Sequence, residues 1–239
     1  MKLDIHKILK NHLELFELNN IFNKYNKKIR IVGGCIRDAL LHKEISENHD
    51  IDLCTTATPN EIIDIISTNN HIQYKNLGGM KFGSLLLIIK NKKYEITTCR
   101  EDIKTYGRKA EVQFCKDFAI DSKRRDFTIN AIYLDFQGDL YDYHNGIFDL
   151  EKQYVKFIGD PKTRIKEDYL RILRYLRFLT YFENPFIDDT ILNICEENLS
   201  ESKIISKQKI IQEFQKIKNN KIDQKITKIL EKIKFLFNL

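Results

Sequence analysis

Short hydrophobic runs bounded by turn residues mark the first half of the chain and predict β-strands. The run at 29–34 ends in a Gly-Gly turn, and a short helix is predicted behind it over residues 35–42. Thr58 and Glu61 have the spacing of a capping box at a helix start, with Pro59 in the first turn. The remaining predicted strands are 50–53, 84–89, 93–98, 131–136 and 140–143. Strands interleaved with helices predict an α/β or an α+β domain.

A helical period replaces this pattern after about residue 150. Apolar residues at 169, 172, 173, 176 and 179 form one stripe, which predicts a helix within 165–182. Further stripes occur at 210, 211, 214 and 217, and at 222, 226, 229, 233 and 237. The sequence therefore predicts an α/β head over residues 1–150 followed by an all-helical segment over 151–239.

The composition excludes several classes of protein. Hydrophobic residues make up 42% of the chain and charged residues 31%, which argues against wholesale disorder. The aliphatic run at 85–89 is too short to cross a bilayer, and the first twenty residues lack the pattern of a signal peptide. We therefore expect no membrane partner and a cytoplasmic location. Five widely spaced cysteines without a CxxC motif predict free thiols rather than a disulfide framework or a zinc site.

The net charge of +6 is concentrated at the C-terminal end. From Lys203 onward ten lysines accompany three acidic residues, a sum of +7, so the rest of the chain sums to −1. A basic end on a near-neutral body is typical of a polyanion partner. Solvated lysine-rich helix faces are also common, so charge alone leaves both interpretations open.

The first group of candidate functional residues lies around the Gly-Gly turn. Gly33 and Gly34 let the backbone turn tightly with amides free to approach a phosphate, and Arg37 supplies a charged fork. Asp50 and Asp52 are two apart on a predicted strand, so both carboxylates project from one face. Two carboxylates that share a cation with a triphosphate suit Mg²⁺. Taken singly, a plain turn and a solvated acidic pair are the alternatives, and the combination of strand, Gly-Gly turn, helix and second strand is the more specific signal.

The second group is the segment 123–131. Arg124 and Arg125 are adjacent cations that can pair with phosphates. Asp126 and Asn130 are four apart, so on a helix they share a face and can bind a ribose or a triphosphate. A charged helix terminus with an ordinary polar pair is the alternative interpretation.

The third group lies in the segment 167–177. Asp168 and Arg171 are three apart and are expected to be neighbours on a helix, and Arg174 and Arg177 continue the row. A carboxylate acceptor beside an arginine donor complements the pairing edges of adenine and cytosine and repels those of guanine and uracil. The pair can therefore select ATP and CTP without a template. A helix salt bridge with a solvated basic face is the alternative.

Five blocks then give the sequence a family resemblance. They follow in order over residues 29–214: GGCIRDALL with DIDL, EITTCR, RRDFTINA, LYDYHNGIFDL and EDYLRILRYLRF, with a weaker SKQKIIQEF. In these blocks the chain resembles the class II tRNA nucleotidyltransferases, which are CCA-adding enzymes and bacterial poly(A) polymerases with a polymerase-beta-like head. The segment REDIKTYGRKAEV resembles the alphaproteobacterial and mitochondrial branch. Family members usually continue into body and tail domains, whereas about 25 residues follow the last motif here.

The resemblance implies a role for each group of residues. Asp50 and Asp52, with Glu95 as a further carboxylate, would hold two Mg²⁺ ions. Residues 100–112 take the place of the family's flexible loop, in which Arg108 would be catalytic. Residues 142–150 would be a hinge between head and neck. The nucleotide would be bound by Gly33, Gly34, Arg37, Arg124, Arg125, Asp126, Asn130, Asp168, Arg171, Arg174 and Arg177.

The implied reaction is stepwise transfer of CMP and AMP from CTP and ATP to a tRNA 3′ end. Addition of A alone, addition of CC alone and poly(A) synthesis are narrower alternatives, and the apparently intact loop argues against CC alone. A non-catalytic RNA-binding protein is an alternative of another class, against which the Asp50/Asp52 pair speaks. The basic end is expected to contact tRNA phosphates through Lys218, Lys221, Lys225 and Lys228. The oligomeric state is left open.

Overall fold

The computed structural model of the chain describes residues 2–106, 109–217 and 222–239. It divides into two compact units. Unit 1 comprises Met1–Lys104, Ala110–Arg125 and Ile129–Ile147, and unit 2 comprises Thr105–Lys109, Asp126–Thr128 and Phe148–Leu239. Within the described ranges, no helix combines the length and the apolar character that a membrane span requires.

Unit 1 is built on a mixed seven-stranded sheet. The strand order is β3-β4-β5-β2-β1-β8-β9, in which β2 and β5 run parallel and the other neighbouring pairs run antiparallel. These strands are β1 (Ile29–Val32), β2 (Asp52–Thr55), β3 (Ile72–Lys75), β4 (Ser84–Ile89), β5 (Lys92–Thr98), β8 (Ile132–Leu134) and β9 (Leu140–Asp142). A separate two-stranded sheet pairs β6 (Arg100–Tyr106) with β7 (Lys109–Phe114).

Helices cover this sheet and bury its inner face. They are α1 (Ile5–Ile8), α2 (Glu14–Lys24), α3 (Gly34–Leu40), α4 (Pro59–Ser67) and α5 (Phe118–Lys123). The predicted capping box is confirmed, because Glu61 N–H donates to the Thr58 hydroxyl and Thr58 N–H donates to the Glu61 carboxylate. The core lies between the layers, with Ile31, Leu87 and Ile96 fully buried. Burial of such side chains is the main stabilising term of the fold.

Unit 2 is helical around a central helix. Its elements include α7 (Pro161–Glu167), α8 (Leu170–Leu179), α9 (Asp189–Glu197), α10 (Lys207–Phe214) and α11 (Gln224–Phe237), while α6 (Gly146–Glu151) begins in unit 1. α8 packs against α7, α10 and α11. Its Tyr175 and Phe178 join Phe127 and Phe157 in an aromatic cluster whose ring centroids lie 4.7–6.2 Å apart. The inward stripe of α11 is confirmed at Ile226, Ile229 and Ile233.

Three local predictions are wrong. The strand predicted from residue 50 begins only at Asp52, so Asp50 lies ahead of β2. The helix predicted within 165–182 is interrupted, because Asp168 has an extended backbone with φ −152° and ψ 103°. Asp126 and Asn130 do not share a helix. The helix α5 ends at Lys123, and Phe127 instead forms a β-bridge with Phe157, an aromatic contact that overrides local helix propensity.

Candidate active site

The Gly-Gly turn lies at the end of β1 and starts α3. Gly33 has φ +82° and ψ −132°, a conformation that only glycine adopts without strain. A Cβ atom built on Gly33 would lie 3.6 Å from Oδ2 of Asp52 and 3.9 Å from the carbonyl oxygen of Asn130. The turn, the β2 carboxylate and Asn130 are therefore brought together, as the sequence spacing alone did not show.

Carboxylates line the exposed face of the sheet beside this turn. Asp50 and Asp52 are exposed while Ile51 between them is 2% exposed, so both acids lie on the side away from the core. Glu95 on β5 is the register partner of Asp52 and is also exposed. Paired residues of neighbouring strands project to the same face, so Glu95 belongs with this group.

These carboxylates fit a divalent cation. Carboxylate oxygens are the ligands that Mg²⁺ prefers, and the ion readily shares its coordination sphere with phosphate oxygens. Across the described ranges, no group of three or more His, Cys, Asp or Glu side chains is placed to hold a metal ion. The chain therefore offers Asp50 and Asp52 as an open pair, which suits an ion that arrives with a polyphosphate.

Arg37 is held inside unit 1. Its side chain is 6% exposed, and its Nη1 donates to Oδ1 of Asn130 at 2.7 Å. Its Nε and Nη2 donate to Oδ1 of Asp38 at 3.2 and 3.1 Å. A Cβ atom on Gly34 would lie 3.6 Å from Nη2 of Arg37. The guanidinium thus orients Asn130 and places positive charge beneath the turn.

Arg124 and Arg125 share one buried carboxylate. Asp121 on α5 is fully buried and accepts from Nε of Arg124 at 2.8 Å and from Nη2 of Arg125 at 3.1 Å. Each arginine side chain is 16% exposed. Burial alone would raise the pKa of Asp121, but the guanidinium groups of Arg125 and Arg124 outweigh it and lower that pKa below its usual range.

The thiol beside the turn has no role as a nucleophile. Cys35 follows Gly34 and is fully buried. Burial, reinforced by the charges of Asp38 and Asp52, raises the pKa of the Cys35 thiol to about 12. Since the thiolate is the reactive species, Cys35 stays protonated and inert at neutral pH.

In unit 2, Asp168 lies between α7 and α8. Its Oδ1 accepts from the N–H of Leu170 at 3.1 Å and its carbonyl accepts from the N–H of Arg171 at 3.0 Å. Asp168 therefore caps the start of α8 instead of sharing a helix face with Arg171, as the spacing had suggested. Arg171 donates through Nη1 to Oε2 of Glu167 at 2.7 Å.

The other two arginines of α8 also have carboxylate partners within unit 2. Nε of Arg174 donates to Oδ2 of Asp126 at 2.7 Å. Burial would lower the pKa of Arg174, but the Asp126 carboxylate outweighs it and raises that pKa. Arg177 lies with its Nε 2.7 Å from Oε2 of Glu213, and both side chains are 7% exposed. The alternative interpretation of this row as a solvated basic face is therefore wrong, because its arginines form ion pairs.

Of the four lysines predicted to contact RNA, Lys218 and Lys221 lie outside the described residues. Arg108, predicted to be catalytic, also lies outside them. Of the remaining two, Lys225 is 59% exposed and pairs with Asp189 at 2.6 Å. Lys228 is exposed on the same helix. Exposed pairs of this kind are weak and exchange readily, so Lys225 stays available to a phosphate.

Asp121 and Asp38 were missed in the sequence as residues that organise the site. The spacing of Asp121 three and four residues before Arg124 and Arg125 is the signal for ion pairs on a helix. Asp38 directly follows Arg37, a spacing without a general structural meaning, and only the folded chain brings the two side chains together.

Known proteins share both the sequence and this architecture. Residues 29–156 match the family described as the Poly A polymerase head domain. The human CCA tRNA nucleotidyltransferase 1, mitochondrial, is 44% identical over 164 residues, which are 69% of this chain and 37% of that protein. The CCA-adding enzyme of Bacillus licheniformis is 34% identical over 211 residues, which are 87% of this chain and 51% of that protein.

Among solved structures, the Bacillus stearothermophilus CCA-adding enzyme in complex with CTP matches with a TM-score of 0.77 and 26% identity. That match covers 93% of this chain and 52% of the other. The chain thus spans about half, or less, of the length of these relatives. The matched head and the shared fold confirm the resemblance seen in the motifs: the chain belongs to the Poly A polymerase head domain family, the class II nucleotidyltransferases that include the CCA-adding enzymes.

Proposed function

We propose that this protein transfers CMP and AMP from CTP and ATP to the 3′ end of tRNA. The terminal hydroxyl attacks the α-phosphate, a new phosphodiester forms and pyrophosphate leaves. The observation that carries the proposal is the closeness of the Asp52 carboxylate to the Gly33 turn. That juxtaposition combines a cation site with backbone amides able to face a triphosphate. The names of the relatives, CCA-adding enzyme and CCA tRNA nucleotidyltransferase, support the choice of substrates.

Each group of residues has a proposed task in this reaction. Asp50 and Asp52, with Glu95 as a further carboxylate, would hold two Mg²⁺ ions, and the bound ions would activate the terminal hydroxyl and neutralise the charge on the leaving pyrophosphate. The Gly33 and Gly34 amides and Arg37 receive the triphosphate, while Asn130, oriented by Arg37, binds the ribose. Arg124 and Arg125 add positive charge for the phosphates.

Unit 2 has the proposed task of choosing the base. Asp168 accepts a hydrogen bond from the exocyclic amine of adenine or cytosine, and Arg171 donates to the adjacent ring nitrogen. Asp126, Arg174 and Arg177 support that site through their ion pairs. Arg108 is the proposed catalytic residue of the segment 100–112. We propose a reducing compartment, the cytoplasm, as the location, in keeping with five free cysteines.

Three tRNA substrates test the proposal and separate its alternatives. The substrates end before CCA, after C and after CC, and each is incubated with labelled CTP or ATP. We expect incorporation of C into the first two and of A into the third. Incorporation of A alone into the third substrate establishes an A-adding enzyme, and long A tails on an unrelated RNA establish a poly(A) polymerase. No incorporation by the folded protein leaves an RNA-binding protein.

A further inference from the structure

One buried carboxylate of unit 1 has no assigned part in the reaction. Asp121 lies on α5 with no exposed surface. Among the described residues, four groups donate to it. Its Oδ1 accepts from Nε of Arg124 at 2.8 Å and from the backbone N–H of Arg100 at 3.2 Å. Its Oδ2 accepts from Nη2 of Arg125 at 3.1 Å and from the hydroxyl of Tyr133 at 2.7 Å.

This arrangement uses the whole capacity of the carboxylate. An ionised carboxylate offers about four lone-pair sites, and all of them are taken by protein donors. Asp121 is therefore not a ligand for a metal or a substrate. Its partners belong to three places in the chain: the arginine pair after α5, the first residue of β6 and the middle of β8.

The charges of the group also fit an anion. One carboxylate faces the guanidinium groups of both Arg124 and Arg125, so two cationic groups are gathered at one place. Tyr133 further fixes Arg125, because its hydroxyl oxygen accepts from Nε at 2.9 Å while donating to Asp121. The arginines are thus held in one arrangement before any phosphate arrives, which lowers the entropic cost of binding.

We propose that Asp121 is a positioning residue that presents Arg124 and Arg125 to the triphosphate and ties their arrangement to the start of β6 at Arg100. The proposal rests on the proposed function, since it names the group that orients the arginines of that site. Because Asp121 binds both segments, the arginine pair and the first residue of β6 are expected to move together. A change at either end is then transmitted through a single carboxylate.

Asp121→Asn is the direct test. Whichever oxygen the amide nitrogen replaces, it faces two donors, so one side of the network is lost. A hydrogen bond to a charged group contributes enough free energy that losing the bonds that orient an arginine should lower the affinity for the triphosphate by roughly tenfold or more. We expect the KM for ATP and CTP to rise by about that factor with a smaller change in kcat, and the Kd of inorganic triphosphate, measured by calorimetry, to rise in parallel.

The matched control is Asp149→Asn, the same change at a second buried carboxylate, which accepts from the Thr128 hydroxyl at 2.6 Å in unit 2. It should leave the triphosphate Kd at the wild-type value. An Asp121→Asn protein that is folded and binds triphosphate with wild-type affinity overturns the proposal. Triphosphate binding is measured without tRNA, so a chain that adds no nucleotide but binds triphosphate refutes the proposed function and leaves this test intact.

Hydrogen exchange of the wild-type protein decides the matter if Asp121→Asn does not fold. We expect inorganic triphosphate to slow amide exchange at Arg100 and over residues 119–125 at the same triphosphate concentration. If triphosphate slows amide exchange over residues 119–125 but leaves the exchange rate of Arg100 unchanged, the proposed coupling to β6 is overturned.

Discussion

Asp52 on β2 stands opposite Glu95 on β5 across a parallel strand pair, and both side chains are exposed. Their neighbours Leu53 and Ile96 are buried, at 1% and 0% exposure. The strands are therefore anchored by apolar side chains on one face and present acids on the other. The apolar packing that anchors these strands therefore lies on the face opposite to the acids.

Removing either of the two carboxylates proposed to hold the metal ions should abolish nucleotide addition and leave the protein folded. Asp50→Asn and Asp52→Asn each remove a charge that the cations need, while exposed positions of this kind change the free energy of unfolding by only about 0.5 kcal/mol. Primer extension and urea denaturation measure the two effects. Glu47→Gln, at a carboxylate whose side chain is 70% exposed, is the control and should be fully active. Normal turnover by both Asp variants would show that the metal site lies elsewhere.

Changing Asp168 should relax the choice of base. Asp168→Ala removes the acceptor, so we expect weaker use of ATP and CTP and a gain in relative use of UTP and GTP, on the order of 1 to 3 kcal/mol in discrimination. The alanine also removes the cap of α8, at a cost of about 1 kcal/mol of stability. Asp168→Asn retains the cap and serves as the matched control for stability. Unchanged relative incorporation of the four nucleotides in both variants would exclude base selection by Asp168.

Replacing Arg177 should lower the free energy of unfolding, which would make Arg177 a structural residue. Arg177→Ala removes the guanidinium that lies 2.7 Å from the buried Glu213 carboxylate and leaves the exposed Lys216, whose Nζ lies 3.8 Å away, as a weaker partner. We therefore expect a loss of about 3 kcal/mol in the free energy of unfolding. Replacing both residues, Arg177→Met with Glu213→Leu, should restore most of that loss, because no charge is then stranded. If the double variant is stable but its KM for ATP rises strongly, Arg177 also acts on the nucleotide.

The basic end should control affinity for tRNA more than affinity for the nucleotide. Each lysine that contacts a phosphate releases counterions, so replacing four of them with Gln should raise the KM for tRNA and flatten its dependence on salt. The four changed residues are Lys218, Lys221, Lys225 and Lys228. A control with the same charge change in unit 1 replaces Lys24, Lys75, Lys90 and Lys116. Equal tRNA affinity and salt slope in the wild type and the first variant would mean that the grip lies elsewhere.

Acidification should destabilise unit 1 through His12. Burial lowers the pKa of His12 below its ordinary value of 6.5, and its Nδ1 lies 2.8 Å from the hydroxyl of Tyr94. Below pH 6.5 the unfolded chain takes up a proton that the folded chain refuses, so the free energy of unfolding should fall as the pH decreases from 7.5 to 5.5. Urea denaturation across that range should show a shallower fall for His12→Gln. An identical fall in that variant would assign the effect to other groups, of which His144, whose pKa burial also lowers, is the first candidate.

Elements with local sequence signals were predicted correctly, whereas contacts between residues that are distant in the chain were not. The hairpin strands around Asn91 and the capping box at Thr58 depend on neighbours within a few residues, and both formed as predicted. The end of α5 at Lys123 was missed because Phe127 packs on Phe157 instead of continuing the helix. The break at Asp168 was missed because the Asp168 side chain caps α8 within a continuous helical period. The bond between Arg37 and Asn130 joins residues 93 positions apart, and no local pattern encodes it.

The backbone conformation of Gly33 makes this glycine a requirement of the fold, independent of any nucleotide. Its φ of +82° and ψ of −132° mirror the extended conformation of an ordinary residue, so any L-residue there is strained whether or not a nucleotide binds. Space is not the obstacle, because a Cβ atom would meet nothing closer than 3.6 Å. Selection for folding alone would retain this glycine. A descendant that had lost catalysis would still carry it, whereas the exposed Asp50 and Asp52 would be among the first positions to change.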